Sequence, residues 1–473
     1  MIVCATVATM TDPAGRTIGT RADSGPDPAR VTQLLALERE RFAASHPRAL
    51  EFRDRAEQNM LYGVPMNWMT RWASPAPIVV ASARGAEVED IDGNRYVDLC
   101  LGDTGAMAGH APGPVAQAVA LQMGRGATFM LPTEDSVWVA EEMSRRFGMA
   151  RWQFCLTATD ANRFVLRLAR QITGRQLIVV HNWCYHGSVD ETLATLGESG
   201  AVTARHGSVG PALEVSQTTR VVEINDLGAL ERALADRRVA CVLVEPALTN
   251  IGIVLPDPEY HSELRRITRE TGTLLVIDET HTICAGPGGY TGREGLEPDF
   301  LTIGKTIGGG VPVAAYGMSA AVGSSVIGST FWHEADVGGV GGTLAGNALC
   351  MAATRATLGH VLTDTAFERM EDLAIRFTEG VSSVIARREL PWHVTRLGCR
   401  AEYLFSPQPP RNGSEAARAG DAGLDDLLHL AMLNRGILLT PFHNMALMSP
   451  ATTAAQVDIH TAVFTQIADE LFS

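Results

Sequence analysis

Through the middle of the chain, short runs that are apolar at every position alternate with stretches whose apolar residues recur at helical spacing. The runs are residues 177–180, 239–244, 274–277 and 300–303; the helix-like stretches between and around them are 161–172, 227–234 and 260–271. Strands without a polar side must be covered on both faces, so this alternation predicts an α/β fold, a large domain with a mostly parallel sheet flanked by helices. Upstream, residues 86–99 (AEVEDIDGNRYVDL) alternate apolar and polar around Asp-Gly-Asn, which predicts a β-hairpin. A helix is expected from Pro112, with Val115, Val119 and Met123 on one face. After about Leu344 the pattern changes to a long helical region, strand-like 392–405, a Pro/Gly/Ser-rich turn, a helix at 425–433, strand-like 436–439 and a closing helix from about 453 to 472. This predicts a smaller α+β domain. The expected organisation is a loose tail at 1–30, a segment at 31–111 contributing to the small domain and the site entrance, a large domain at 112–344 and the small domain at 345–473.

Charge and composition narrow the function classes. A net charge of −14 on the 473-residue chain gives no support for binding to nucleic acid or anionic lipid, and no run of 18 apolar residues would span a bilayer. The opening MIVCATVATM lacks the positive region and cleavage site of a secretory signal. Eight cysteines are scattered singly without C-x-x-C or metal spacing, so reduced buried thiols in a cytoplasmic protein, and no metal, are expected. The basic residues are more telling: of 39, 38 are arginine and one is lysine, at position 305. Arginine can replace lysine in surface ion pairs, but not where a neutral primary amine must act as nucleophile.

Four features follow one another along the predicted sheet. Residues 156–162 (LTATDAN) open a helix, where free backbone N–H groups and the dipole favour an anion such as phosphate; an ordinary cap by Thr159 or Asp160 explains the same residues taken alone. Trp183-Cys184-Tyr185-His186-Gly187 follows the run at 177–180, where an aromatic ring can lie on a planar ligand or simply pack in a loop. Asp278-Glu279 emerges from the run at 274–277. A carboxylate there can hold a pyridinium nitrogen protonated: a charge pair at ~4 Å is worth roughly 4 kcal/mol at an effective dielectric of about 20. A metal site from Asp278, Glu279 and His281 is the minor alternative, because adjacent strand residues face opposite ways. Last, Gly304-Lys305-Thr306 ends the run at 300–303 beside Gly308-Gly309-Gly310. It is not a P-loop, since Asp299 stands where that motif requires glycine.

With these residues in order, the chain resembles the class III aminotransferases of the pyridoxal-5′-phosphate (PLP) fold type I, among them glutamate-1-semialdehyde aminomutase and related amino-acid and amine aminotransferases. The stretches that carry the resemblance are DIDGNRYVDL, TATDAN, WCYHG, VEPALTN, VIDETHT, TIGKTIGGG and GGTLAGN, from about Pro65 onward. It implies PLP as cofactor, held as a Schiff base on Lys305, which would also shuttle the proton. Asp278 would pair with the pyridine nitrogen, Ala158 and Thr159 would contact the phosphate, Tyr185 would stack on the ring and Glu245 would order the site with Asn250 nearby. Thr343 would reach the phosphate of a neighbouring subunit, which implies a homodimer. The family's Ser-Gly-Thr-Glu-Ala is Thr157-Ala158-Thr159-Asp160-Ala161 here, and its Asp-Glu-Val is Asp278-Glu279-Thr280. The following ICAGPGGY lacks an arginine often found there.

The expected reaction moves an amino group from an amino acid or amine to a keto acid, ketone or aldehyde. An intramolecular aminomutase, a PLP decarboxylase or racemase and a non-catalytic PLP-fold protein are the alternatives. Candidate substrate contacts are Trp68 and Arg71, together with Arg400 as a carboxylate clamp. Among 38 arginines, a plain ion pair is the commoner role of any one.

Overall fold

The computed structural model describes residues 25–211, 213–329 and 339–472. Its centre is a seven-stranded sheet in the order Arg151–Cys155, Ala314–Met318, Phe300–Ile303, Leu274–Asp278, Val239–Val244, Leu177–His181, Thr219–Val222. Six strands run the same way, and only Ala314–Met318 is antiparallel to its neighbours. The four apolar runs lie in the interior of this sheet, and every residue of Val239–Val244 is buried, as burial on both faces requires. Helices Leu227–Leu234 and Tyr260–Thr271 begin and end where the periodicity puts them.

Three strands of the sheet escaped the sequence pattern, one of them the edge strand Thr219–Val222. Arg151–Cys155 mixes charge with aromatics, and Ala314–Met318 (AAYGM) sets Ala and Gly around a tyrosine. In the latter, a Cβ at Gly317 would sit 2.8 Å from Met149 Cβ and 2.9 Å from the Trp152 ring, so the close packing that requires glycine also removes the apolar signal.

The expected hairpin forms between Glu87–Asp90 and Arg95–Asp98, joined on one side by Val80–Arg84 and on the other by Ile437–Leu438. Strand pairing thus ties the N-terminal segment to the C-terminal part of the chain. Of the expected tail at 1–30, residues 1–24 lie outside the described residues. Helix Pro28–Ser45 begins within that stretch, with Asp27 accepting from the Ala29 amide. Helix Pro28–Ser45 buries Val31, Leu34 and Phe42, and its buried Glu38 accepts from Arg435 at 2.9 Å and Asn434 at 2.7 Å. The strand-like stretch 392–405 is a hairpin, His393–Leu397 with Arg400–Leu404, turning at Gly398 and completed by Met445–Leu447. From Pro112 the helix Gly113–Met123 buries Val115 but leaves Met123 61% exposed, so the predicted apolar face is only partly covered within one chain.

Arg146 locks the helical layer. It is buried on helix Glu134–Phe147, pairs with Glu142 at 2.7 Å, and donates to the carbonyls of Leu358 (2.7 Å) and Leu362 (2.9 Å) at the end of helix Ala348–His360. Those carbonyls have no helical donor of their own. Replacing Arg146 by alanine is expected to cost about 2–4 kcal/mol in urea unfolding; a loss below ~1 kcal/mol would show that solvent satisfies them.

Candidate active site

The carboxyl ends of the parallel strands gather the chemistry. Asp278 ends Leu274–Asp278 and pairs in register with Thr302 of the next strand, which continues through Gly304 to Lys305. Tyr185 follows Leu177–His181, Glu245 follows Val239–Val244, and Thr157 follows Arg151–Cys155. A ligand crevice at this edge is the general expectation for an open α/β sheet.

Asp278 is 3% exposed and fully partnered. Oδ2 accepts from Asn162 Nδ2 at 2.8 Å and lies 3.0 Å from His186 Nδ1, while Oδ1 accepts from the Thr280 amide at 3.0 Å. Burial alone would raise this carboxyl; His186, Thr280 and Asn162 hold it below the usual carboxylate range. Burial works against a charged His186, yet Cys184 and Asp278 beside it push its pKa up to about 10. His186 and Asn162 are therefore partners of the key carboxylate. A lone loop histidine and a helix asparagine give no periodic signal, so the first was undecided in the sequence and the second unread. Glu279 faces elsewhere, accepting from Thr282 Oγ1 at 2.6 Å and the Tyr290 amide at 3.1 Å.

Lys305 sits in the left-handed region (φ 52°) and its Nζ lies 3.0 Å from both Asp103 Oδ2 and the Asp103 carbonyl, and 2.7 Å from His281 Nε2. Burial, then Lys305, lowers the His281 pKa to about 3, so the ring is a neutral acceptor at Nε2, with Nδ1 turned to Thr104 Oγ1 at 3.1 Å. Burial would raise Asp103, but Lys305, backed by His281, His443 and Arg400, holds it well below the ordinary range. Asp103 was missed in the sequence, where it stands in a small-residue loop (LGDTGA) without periodicity.

The helix expected from the second half of LTATDAN is Ala158–Thr173, and its cap is Thr157, which accepts from the Asp160 amide at 3.1 Å. The cap is neither Thr159 nor Asp160, because the helix starts at Ala158. Thr159 Oγ1 accepts instead from the Ser188 amide at 3.1 Å, packed so closely on Gly187 (φ 78°) that a Cβ there would lie 2.1 Å from it. Glu245 accepts from the Tyr185 amide at 3.1 Å and from Thr249, and burial raises its carboxyl.

Of the substrate candidates, Trp68 lies edge-on to Tyr185 at 5.7 Å and to Phe442 at 5.9 Å, forming an aromatic lip. Arg71 is exposed, and among the described residues no hydrogen bond or ion pair joins it to this group. Arg400 is not an open clamp: it is wholly buried, donating to the Thr249 carbonyl at 2.6 Å and paired with Glu402 at 3.2 Å, with Nη1 3.5 Å from His281 Nδ1. Its strand faces inward, so the internal carboxylate takes the place of a substrate's. Thr343 is exposed on a surface cavity with Met130, Leu131, Pro132 and Ser136, a cavity whose lining does not include Lys305.

The model of the aminotransferase class-III family matches residues 68–468. The chain belongs to the class III aminotransferases. This class III chain is 35% identical over 387 residues to a protein of Desulfitobacterium hafniense named glutamate-1-semialdehyde 2,1-aminomutase, covering 81% of this chain and 88% of that one. It superposes on the crystal structure of a glutamate-1-semialdehyde-aminomutase from Pseudomonas aeruginosa with a TM-score of 0.93 and 49% identity, over 94% of this chain and 100% of that one. A variant of that Pseudomonas protein was solved in complex with PMP. An omega-transaminase from Sphaerobacter thermophilus gives 0.81 and 27%, over 90% and 98%. The class III chain is thus a PLP-dependent enzyme of the family's fold. Its own residues fit the cofactor: a lysine amine, a buried ionised carboxylate on the adjacent strand, a helix N-terminus at Ala158, and a buried Thr280 Oγ1 beside Asp278 with no hydrogen-bond partner.

The Asp278–His186 pair predicts a pH signature. His186 has a raised folded pKa, so its contribution to stability is full below about pH 6.5 and fades as pH rises through about 10. Asp278, depressed, contributes above the ordinary carboxylate range and loses that contribution as pH falls below it. The stability gap between wild type and His186→Gln in urea should therefore shrink between pH 7 and pH 10.5; a constant gap would mean the pair is not charged.

Proposed function

We propose that this enzyme transfers an amino group between a donor amine or amino acid and a separate carbonyl acceptor, using PLP held by Lys305. The observation that carries the reading is the sole lysine and the ionised Asp278 side by side at the ends of paired parallel strands. When bound, PLP supplies an electron sink for the electrons released at the donor carbon. Lys305 would hold the cofactor through its ε-amine, and its free amine would take the proton from the donor carbon. Asp278, fixed by His186 and Asn162, keeps the ring nitrogen protonated. Ala158 and Thr159 at the helix start hold the phosphate, and Tyr185, positioned by Glu245, covers the ring. His281 and Asp103 orient the amine between them.

The names of the Desulfitobacterium and Pseudomonas relatives support a second reading, an aminomutase that moves the amino group within one molecule. The two readings separate on acceptor dependence: a transaminase needs a second carbonyl compound to turn over, and an aminomutase does not. A homodimer is part of the proposal. It is supported by the exposed apolar surface at Leu121, Met123, Met130 and Leu131, the last two lining the cavity that holds Thr343. Sedimentation at the mass of a single chain would remove that support.

The purified protein should absorb near ~420 nm, the usual region of the bound cofactor, and amino donors should bleach that band. Lys305→Arg should abolish turnover and the borohydride-trapped adduct; substantial remaining activity would sink the assignment.

A further inference from the structure

One face of helix Ala158–Thr173 carries charge that the Lys305 crevice does not use. Arg163, Arg167 and Arg170 recur there at helical spacing and together line a cavity of about 390 Å³. That volume falls within the range of small-molecule sites, roughly 300–1,000 Å³. Arg170 is already satisfied: Nη1 pairs with Glu191 at 2.8 Å and Nε donates to the Gln176 carbonyl at 2.9 Å. Arg163 and Arg167 are not. Arg163 donates to the Ser188 carbonyl at 2.7 Å and Arg167 to the Gly339 carbonyl, and among the described residues neither meets a carboxylate. Like charges one helical turn apart repel, and most of the donors on these two guanidinium groups remain open.

The facing wall supplies the opposite charge. Asp190, in the short helical turn Asp190–Thr192, lines the same cavity, and among the described residues no donor reaches its carboxylate. The rest of the lining is largely apolar. Leu166, Val189 and Val215 are buried, while Leu213 stands at the rim 61% exposed. A phosphate would gain from the arginines but would face Asp190 and Glu191, so a doubly charged anion suits the cavity poorly. A molecule with one charge of each sign and an apolar group suits it well.

We propose that this cavity binds a free α-amino acid with an aliphatic side chain. Its carboxylate lies on Arg163 and Arg167, its ammonium on Asp190, and its side chain against Leu166, Val215 and Leu213. No covalent step is involved, and the binding does not depend on the aminotransferase reading. The position also gives the ligand a route to the helix start proposed to hold phosphate. Arg163 holds the Ser188 carbonyl, and the Ser188 amide donates to Thr159 Oγ1 at 3.1 Å. The guanidinium that takes the ligand therefore also braces the loop against Thr159. An amino acid bound here acts as an effector, because it reaches that loop without entering the crevice.

The test is calorimetric titration of the cofactor-loaded protein with N,N-dimethylleucine. This probe keeps both charges but, as a tertiary amine, cannot join the cofactor covalently. Saturable binding with the chromophore band unchanged is expected in wild type. Arg163→Gln and Arg167→Gln should each weaken it about tenfold, the loss of one charge-assisted hydrogen bond. Asp190→Asn should weaken the probe by a similar factor but not isocaproate, which lacks the ammonium. Leu213→Asp, at the exposed rim and outside the arginine hydrogen bonds, should also weaken the probe, and it tests the cavity even where an arginine variant fails to fold. No saturable heat in wild type, or heat that survives all four substitutions, overturns the proposal. Inorganic phosphate binding in preference to the probe overturns it too.

Discussion

A carboxylate at the heart of a protein survives only if its oxygens are satisfied, and at Asp278 that requirement organises the surroundings. Its partners come from three places: Asn162 from the helix after the first strand, His186 from the loop after the second, and the Thr280 amide from its own chain. Asn162 then reaches Thr302 on the neighbouring strand at 2.7 Å and the His186 carbonyl at 3.2 Å. One ion thus pins together a helix start, a loop and two strand ends. Those are the elements that carry Ala158, Tyr185 and Lys305. The geometry of the site follows from the cost of leaving that ion unpaired.

The parts of the fold that sequence made legible are those with a strong period. Val239–Val244 has no polar residue, and the surface helix Tyr260–Thr271 has a clean apolar stripe; both were readable to the residue. Ala314–Met318 was not, because Met149 and Trp152 press on Gly317 and leave no room for an apolar side chain there. The hairpin at Gly398 was hidden for another reason. Its two strands follow each other after a two-residue turn, so the pattern runs on as one long strand.

The site divides along the same line. Lys305 and Asp278 stood out because composition and strand ends both marked them. Asp103, His281 and Asn162 act through contacts between segments up to 202 residues apart, which no local pattern records. Arg400 shows the converse. An arginine in a strand suits a carboxylate clamp on paper, but Glu402, two residues on along the same face, satisfies it internally. The relatives named as aminomutases and those named as transaminases share the scaffold. What separates such chemistries on one fold is side chains of this kind.

The solitary lysine has a practical side. With 38 arginines carrying the rest of the basic charge, the chain's whole stock of side-chain amines is one atom at the bottom of one crevice. A reagent for lysine becomes an active-site titrant, and the mass found on the peptide that carries Lys305 counts the open sites. By the same token, attachment chemistry aimed at lysine has no harmless surface target, so immobilising or labelling this protein calls for another handle.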